Sequence, residues 1–357
     1  MVIQPACRGA PYTSTLGARM APAAQFALMT GSRSPHVLAK LFLVVCAIFA
    51  PLAAQAQQPA HISRVVVLAL FPPPKEGIEA LRRGLRDFGF EDGRNVLIEI
   101  RSADGKPERL NEAAADVARA KADIIVTSGT DATRAAQQAT RTIPIVTIVG
   151  GDPVAIGFAK SLARPGGNVT GLTSAAAAIA LKQLELMREL LPVASRMAVL
   201  WRVQNPAHQS TVKALEAAGR SMGIQVVAVS ASAGELERAF AAVADVRADG
   251  VVVLGDSVFL HERDKILRLA AQTHRPAVYF RADFTERGGL MSFATDTNDL
   301  YRRTASYVDK ILKGAKAGEL PMEEPSRFEL VINLKTAQAL GITIPKSMLV
   351  RADRVIE

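Results

Sequence analysis

One order of elements occurs twice in this chain. From Arg64 the sequence reads RVVVLALFPPPKEGIEALRRGLRDFGFEDGRNVLIEI, and from Arg196 it reads RMAVLWRVQNPAHQSTVKALEAAGRSMGIQVVAVS. Each passage runs through a short β-branched strand, a loop, an amphipathic helix, a glycine and a second strand. AKADIIVTSGT, from Ala120, then finds its counterpart in VRADGVVVLGDS, from Val246, and the Ala-Asp pairs lie 58 and 52 residues after the two starting arginines. A period above 100 residues implies two duplicated α/β lobes and not a solenoid, whose repeats are much shorter.

Within the first copy, residues 65–71, 96–100, 124–126 and 143–148 read as strands, and 76–88, 111–120 and 132–140 as helices. The strands are continuously apolar and separated by single helices, which predicts parallel sheets covered on both faces. Ligands of such sheets sit beyond the carboxyl ends of the strands, where the connections open a crevice. The segments of interest are therefore 71–74, 128–130 and 150–153 in the first half, and 201–205, 255–257 and 279–281 in the second.

The first 56 residues obey a different pattern. They carry Arg8, Arg19, Arg33 and Lys40 and no acidic residue, then the apolar run LFLVVCAIFAPL from Leu41, then the small-residue site Ala54-Gln55-Ala56. That order predicts a secretory signal peptide cleaved after Ala56, and hence an exported protein. Cleavage removes both cysteines, Cys7 and Cys46, so the mature chain carries no disulfide and no thiolate nucleophile. With four of the 43 basic residues gone against 34 acidic ones, the net charge falls from +9 to +5. Such a charge favours solubility, and no basic run interleaved with aromatics speaks for nucleic acid. No later segment approaches the roughly 18 uninterrupted apolar residues of a membrane span. The five histidines lack metal-like spacing, so no metal and no cofactor are expected.

Three passages, ADIIVTSGTDATRAAQQATRTIPIVTIVGGDPVAIGFAKSLARPGGNVTGLT, NPAHQSTVKALEAAGRSMGI and FELVINLKTAQALGITIPKSMLVRADRVIE, together resemble the ABC-transporter substrate-binding protein family, whose better-understood members are similar to binders of tryptophan and other aromatic amino acids. The resemblance runs from about Arg64 to the last residue. It implies the type I periplasmic binding fold, with two Rossmann-like lobes built on parallel sheets and joined by a three-strand hinge. By this resemblance residues 63–171 and 290–328 form the first lobe, 172–289 and 329–357 the second, and the crossing strands lie near 168–173, 291–295 and 328–333. It implies a monomeric, non-enzymatic protein that captures a small molecule, an amino acid or similar carboxylate, between its lobes. The partners so implied are an ABC permease and its ATPase in the inner membrane. Arg202 and Ala178 stand where the family pattern has Asn and Glu, and Asp296 where it often has Asn, which leaves the ligand's identity open.

Each candidate site residue has a plainer role beside its functional one. Ser128, Gly129 and Thr130 join a strand to a helix, so they present amides and hydroxyls to a ligand carboxylate from a positive helix end, or merely cap the helix. Gly151 permits close backbone approach; Asp152 before Pro153 either caps a following helix or, by the resemblance, partners a ligand ammonium. A phosphate cradle at this Gly-Gly-Asp-Pro turn is disfavoured by the carboxylate and by the missing P-loop lysine. Thr173 ends the first crossing strand. Asn205 and Ser210 offer amide and hydroxyl groups from the second lobe, unless Asn205-Pro206 is only a turn. Asp256 and Asp296 reach the cleft by position or stand solvated. Arg202 and Arg281 can clamp a carboxylate in bidentate fashion or serve as surface charge. Phe71, Trp201, Tyr279 and Phe280 can sandwich an apolar ligand group or pack in the core.

Other function classes fit less well. An enzyme on this scaffold would lack the nucleotide fingerprints, the cysteine nucleophile and any Ser-His-Asp pattern. A transcriptional sensor would need a helix-turn-helix where the leader stands. A subunit that presents its ligand to a membrane receptor shares every feature above and stays open.

Overall fold

The chain folds around two separate sheets. The computed structural model describes residues 62–357; the expected signal peptide, with Cys7 and Cys46, lies outside the described residues. The first sheet holds β1 (Ser63–Ala69), β2 (Val96–Ser102), β3 (Ile124–Ser128), β4 (Ile145–Val149) and β5 (Val169–Thr173), in the order β2-β1-β3-β4-β5, all parallel. Its connections carry α1 (Lys75–Asp87), α2 (Pro107–Arg119) and α3 (Thr130–Ala139).

The two-residue side-chain period of a strand explains why β1 is apolar without interruption. Val65 and Val67 face a core shared with Leu81 and Leu85 of α1, while Val66 and Leu68 face the opposite core, with Leu110, Val117 and Ala136 of α2 and α3. Each such side chain, buried from water, contributes roughly 1.5–3 kcal/mol before the entropy of ordering is counted.

The second half repeats the pattern. After α4 (Ala176–Leu190) come β6 (Arg196–Trp201), α5 (Pro206–Ser221), β7 (Gln225–Ser230), α6 (Leu236–Asp245), β8 (Gly250–Val253), α7 (Ser257–His261), α8 (Arg263–Gln272), β9 (Ala277–Tyr279), α9 (Ala282–Glu286) and β10 (Met291–Thr295). Next, α10 (Thr297–Leu312) packs its Tyr301, Tyr307 and Val308 into the core of the first sheet. The chain then adds β11 (Phe328–Asn333), α11 (Leu334–Ala339), α12 (Lys346–Arg351) and β12 (Arg354–Ile356) to the second sheet, whose order is β12-β11-β10-β9-β8-β6-β7. Among the described residues only the β10–β11 pair is antiparallel. Among the described residues no helix is long and apolar enough to cross a membrane.

Among the described residues the chain passes between the sheets three times: after Thr173, after Thr295 and before Phe328. Each strand expected to cross belongs to one sheet only, β5 to the first and β10 and β11 to the second. The expected first-lobe segment from residue 290 thus opens with a strand of the second sheet. The reason is its register: Met291 and Ser292 continue the parallel ladder of Val278 and Tyr279, and β11 closes the other side. Because that β9–β10 ladder is so short, Gln183 of α4 reinforces it. Its buried side-chain amide donates to the carbonyls of Tyr279 and Phe293, both at 2.9 Å. On the first sheet, Glu323 pairs back onto β5, its amide donating to Gly171 O and its carbonyl accepting from Thr173 N, each at 3.0 Å.

Candidate functional site

In each sheet the strand order reverses beside the first strand of the repeat, between β1 and β3 and between β6 and β8. Connections leave in opposite directions at such a point and open a crevice at the strands' carboxyl ends. A cavity of about 810 Å³ lies between the sheets there. Residues 69–74, Glu76, Ser128 and the start of α10 border it on the side of the first sheet; α7, α8, Arg281, α9, Glu329 of β11 and Arg354 of β12 border it from the second.

Ser128 ends β3, and its hydroxyl accepts a hydrogen bond from the Tyr301 hydroxyl at 2.9 Å. A serine in that bond keeps its own hydrogen to donate into the cavity. The turn that follows requires Gly129, whose φ of +91° lies in the left-handed region. Burial pushes the Tyr301 phenol up, while its bond to Ser128 and the charge of Arg281, reaching it from the second sheet, pull the other way. Arg281, just past β9 of the second sheet, borders the same cavity as Ser128. It pairs with Asp283 at 3.2 Å, and the same carboxylate takes Arg263 at 2.6 Å, so two guanidiniums share one acid on this wall. On another wall the signs reverse. Arg354 holds Glu286 at 2.5 Å and Glu329 at 3.4 Å, and burial, with Asp353, Asp296 and Glu286 nearby, pushes the Glu329 carboxyl up against the pull of Arg354. At the cavity edge Phe71 stacks on His261, ring centres 4.2 Å apart, so the sheets also meet through aromatic faces.

Beside the cavity a buried polar cluster joins the sheets. Arg202, just past β6, donates from Nε to Asp256 at 3.0 Å and from a terminal nitrogen to Asp131 of α3. Asp256 also accepts from Asn205 Nδ2 and from the Val258 amide, each at 2.8 Å, which caps α7. His208 accepts the Arg202 amide at Nδ1, 3.0 Å, and faces Gly255 O with Nε2 at 3.0 Å, the geometry of a neutral imidazole. Burial holds His208 below its ordinary value despite the nearby carboxylates. Burial opposes the Arg202 charge, yet Asp256 and Asp131 outweigh it and raise that group. Burial also pushes Asp131 up, with Asp256 adding to it and Arg202 opposing. One cation shared between two acids leaves the second acid undercompensated.

Of the residues singled out in the sequence, Phe71, Ser128, Arg281 and Asp296 border the cavity. Asp296 spends one oxygen on α10, accepting from the Asn298 and Asp299 amides at 2.9 and 3.3 Å. Arg202, Asn205 and Asp256 form the buried cluster, where Arg202 is engaged by the protein's own carboxylates. The remaining residues do not border the cavity. Gly151 meets Ala207 of α5 so closely that a Cβ there would stand 2.4 Å from the alanine methyl. Asp152 is exposed and accepts from the Val154 and Ala155 amides at 2.8 and 3.3 Å, within turns and not ahead of a helix. Thr130 is buried at the start of α3, and Gly129 carries the turn before it. Thr173 is buried and accepts the Ala175 amide at 2.8 Å; Ser210 is exposed and bonds back to Ala207 O at 3.3 Å. Phe280 packs against Gly255 and Phe284, and Tyr279 is core.

Asp131, Tyr301, His261, Arg263 and Asp283 were not anticipated. Asp131 had a visible signal, since it directly follows the Ser-Gly-Thr stretch at the end of a strand. Tyr301 lay unmarked in a helical pattern, and the other three become neighbours of the cavity only through the fold.

A family profile described as "ABC transporter substrate binding protein" matches residues 66–356. The chain is 27% identical over 261 residues to the "Tyrosine-binding protein" of Clostridioides difficile (strain R20291), covering 73% of this chain and 75% of that one. Among solved structures it is similar to a conserved domain protein from Vibrio cholerae, with a TM-score of 0.78 and 29% identity over 82% of this chain and 99% of that one. It is also similar to an ABC domain from Streptococcus pneumoniae in complex with L-Trp, with a TM-score of 0.77 and 26% identity over 83% of this chain and 100% of that one.

Proposed function

The chain belongs to the family of ABC transporter substrate-binding proteins, and on that footing we propose that it captures one small carboxylate, an aromatic amino acid or a close relative, in the cavity between its sheets and hands it to an ABC permease. One observation carries the reading: Ser128 of the first sheet and Arg281 of the second border one cavity. A carboxylate between them accepts an O–H from one and an N–H from the other, so a single ligand group binds both sheets. The L-Trp in the Streptococcus neighbour and the name of the Clostridioides relative support the aromatic class. The volume of about 810 Å³ falls within the roughly 300–1,000 Å³ of small-molecule sites.

In this reading each sheet with its helices is one lobe, and the lobes swing about the connections after Thr173, after Thr295 and before Phe328. Turning a hinge from about 1:99 to 99:1 takes about 5.5 kcal/mol of preference for the closed state. Two charge-assisted hydrogen bonds at about 1.5–3 kcal/mol each, with some buried apolar area, reach that figure. The leader read in residues 1–56 exports the chain to the periplasm, where it works as a monomer.

The test is to denature purified protein, identify any released solute by mass spectrometry, and titrate amino acids and carboxylates by calorimetry. A narrow set should bind, and at one hundred times Kd should stabilise the fold by about 2.7 kcal/mol. Binding of sugars alone, or of no carboxylate at all, would sink the reading.

A further inference from the structure

The Asp131–Arg202–Asp256 cluster adjoins the cavity without bordering it. Asp131 stands three residues past Ser128 and Asp256 immediately before Ser257, and both serines border the cavity. The two carboxylates come from opposite sheets, and their side chains are 24% and 1% exposed. Two neighbouring acids, one fully and one partly buried, call for a counter-charge. Arg202 supplies that charge from within the chain. Asn205, the Val258 amide and His208 complete the bonding around it.

We propose that Arg202 is a specificity-determining residue: its tethered guanidinium engages both acids beside the cavity, so that neither is free for a ligand ammonium and the solute accepted is a carboxylate without an α-ammonium group. This rests on the carboxylate reading given above and narrows it. An ammonium brought to this corner meets a like charge whose acids are already engaged, and loses its water without gaining a partner. The acids on the cavity walls offer little in exchange. Glu286 and Glu329 are held by Arg354, Asp283 by Arg263 and Arg281, and Asp296 by the first amides of α10, while Glu76 lies exposed in the first turn of α1.

The experiment is calorimetric titration of the full chain with pairs of compounds that differ only in the α-ammonium: phenylalanine against phenylpropionate, tyrosine against hydroxyphenylpropionate, tryptophan against indolepropionate, and aspartate against succinate. In the wild type the member without the ammonium should bind tighter, by about tenfold or more. Arg202→Asn, which leaves two acids without a cation, should swing the preference by about tenfold toward the amino acid, whereas Arg202→Lys should keep the wild-type order. A wild type that prefers the amino acid overturns the role of Arg202 and leaves the receptor reading standing, as does an Asn variant with no swing or a Lys variant that swings as far. If no member of any pair binds, the carboxylate reading falls and this inference with it. The wild-type comparison decides the matter even if Arg202→Asn fails to fold.

Discussion

Replacing Arg202 with Met should destabilise the fold by about 2–3 kcal/mol. Removing one partner of a buried ion pair costs about 3–5 kcal/mol when the other is left uncompensated. Here the cost falls at or below the foot of that range, because Asp256 keeps its bonds to Asn205 and the Val258 amide, and Asp131 is exposed enough to take water. Asp131→Ala should cost less, about 0.5–1.5 kcal/mol, since it also relieves the repulsion between two acids that share one cation. In the double variant the losses should not add, and the coupling between Arg202 and Asp131 should reach about 1 kcal/mol. Denaturant titration at neutral pH measures all four corners, with an unchanged slope as the check that the unfolding reaction is the same. Because the bridge is sheltered, raising the salt to about 1 M should remove little of the coupling. A coupling below about 0.3 kcal/mol would refute the reasoning. It would mean that α3 and the end of β6 are not held together in solution.

Three further outcomes follow from single features. Gly151→Val should block the approach to Ala207, where even a Cβ stands 2.4 Å from the methyl, and should weaken solute binding with little effect on the unfolding midpoint; equal affinity would show that this corner does not close. Gln183→Leu strands the carbonyls of Tyr279 and Phe293 and should cost about 2–3 kcal/mol, with faster amide exchange along β9 and β10 as its signature. His208 carries the pH dependence: its folded value lies below the ordinary 6.5, so the unfolded state takes up the proton first. The stability it contributes is present above about pH 6.5 and lost as pH falls through the depressed value. The melting temperature should drop from pH 7.5 toward about 5.5, and less steeply in His208→Gln; parallel curves would remove His208 from the account.

The architecture was legible because it rests on local period and repetition. Uninterrupted apolar strands cannot face water on either side, so RVVVLALF and ADIIVTS announced covered parallel sheets, and the second copy of the pattern announced a second sheet. The duplicated topology then placed the crevice at β1/β3 and β6/β8, where Ser128 and Asp256 stand. The sequence was silent about which side chains satisfy one another across that crevice. Arg202 reads as a free guanidinium until the fold sets Asp131 and Asp256 around it, and Asp152 reads equally as a cap and as a ligand partner until its own turn takes it up. Ser210 lies on the exposed side of α5, a matter of helical phase that the loop before it did not reveal. The sheet to which β10 belongs was hidden for a related reason: the last strand before a crossing pairs with the sheet it is leaving, and register is not a property of a single segment.

The account stands or falls on one ligand touching both sheets. The most direct check is calorimetry of the tightest carboxylate against wild type, Ser128→Ala and Arg281→Met, one change from each sheet. Each should weaken binding by about tenfold or more, as expected for the loss of a hydrogen bond to a charged group. Affinity that either variant leaves within about twofold of the wild type, a difference too small for a lost bond to a charge, would place the solute on one sheet alone and contradict the shared site.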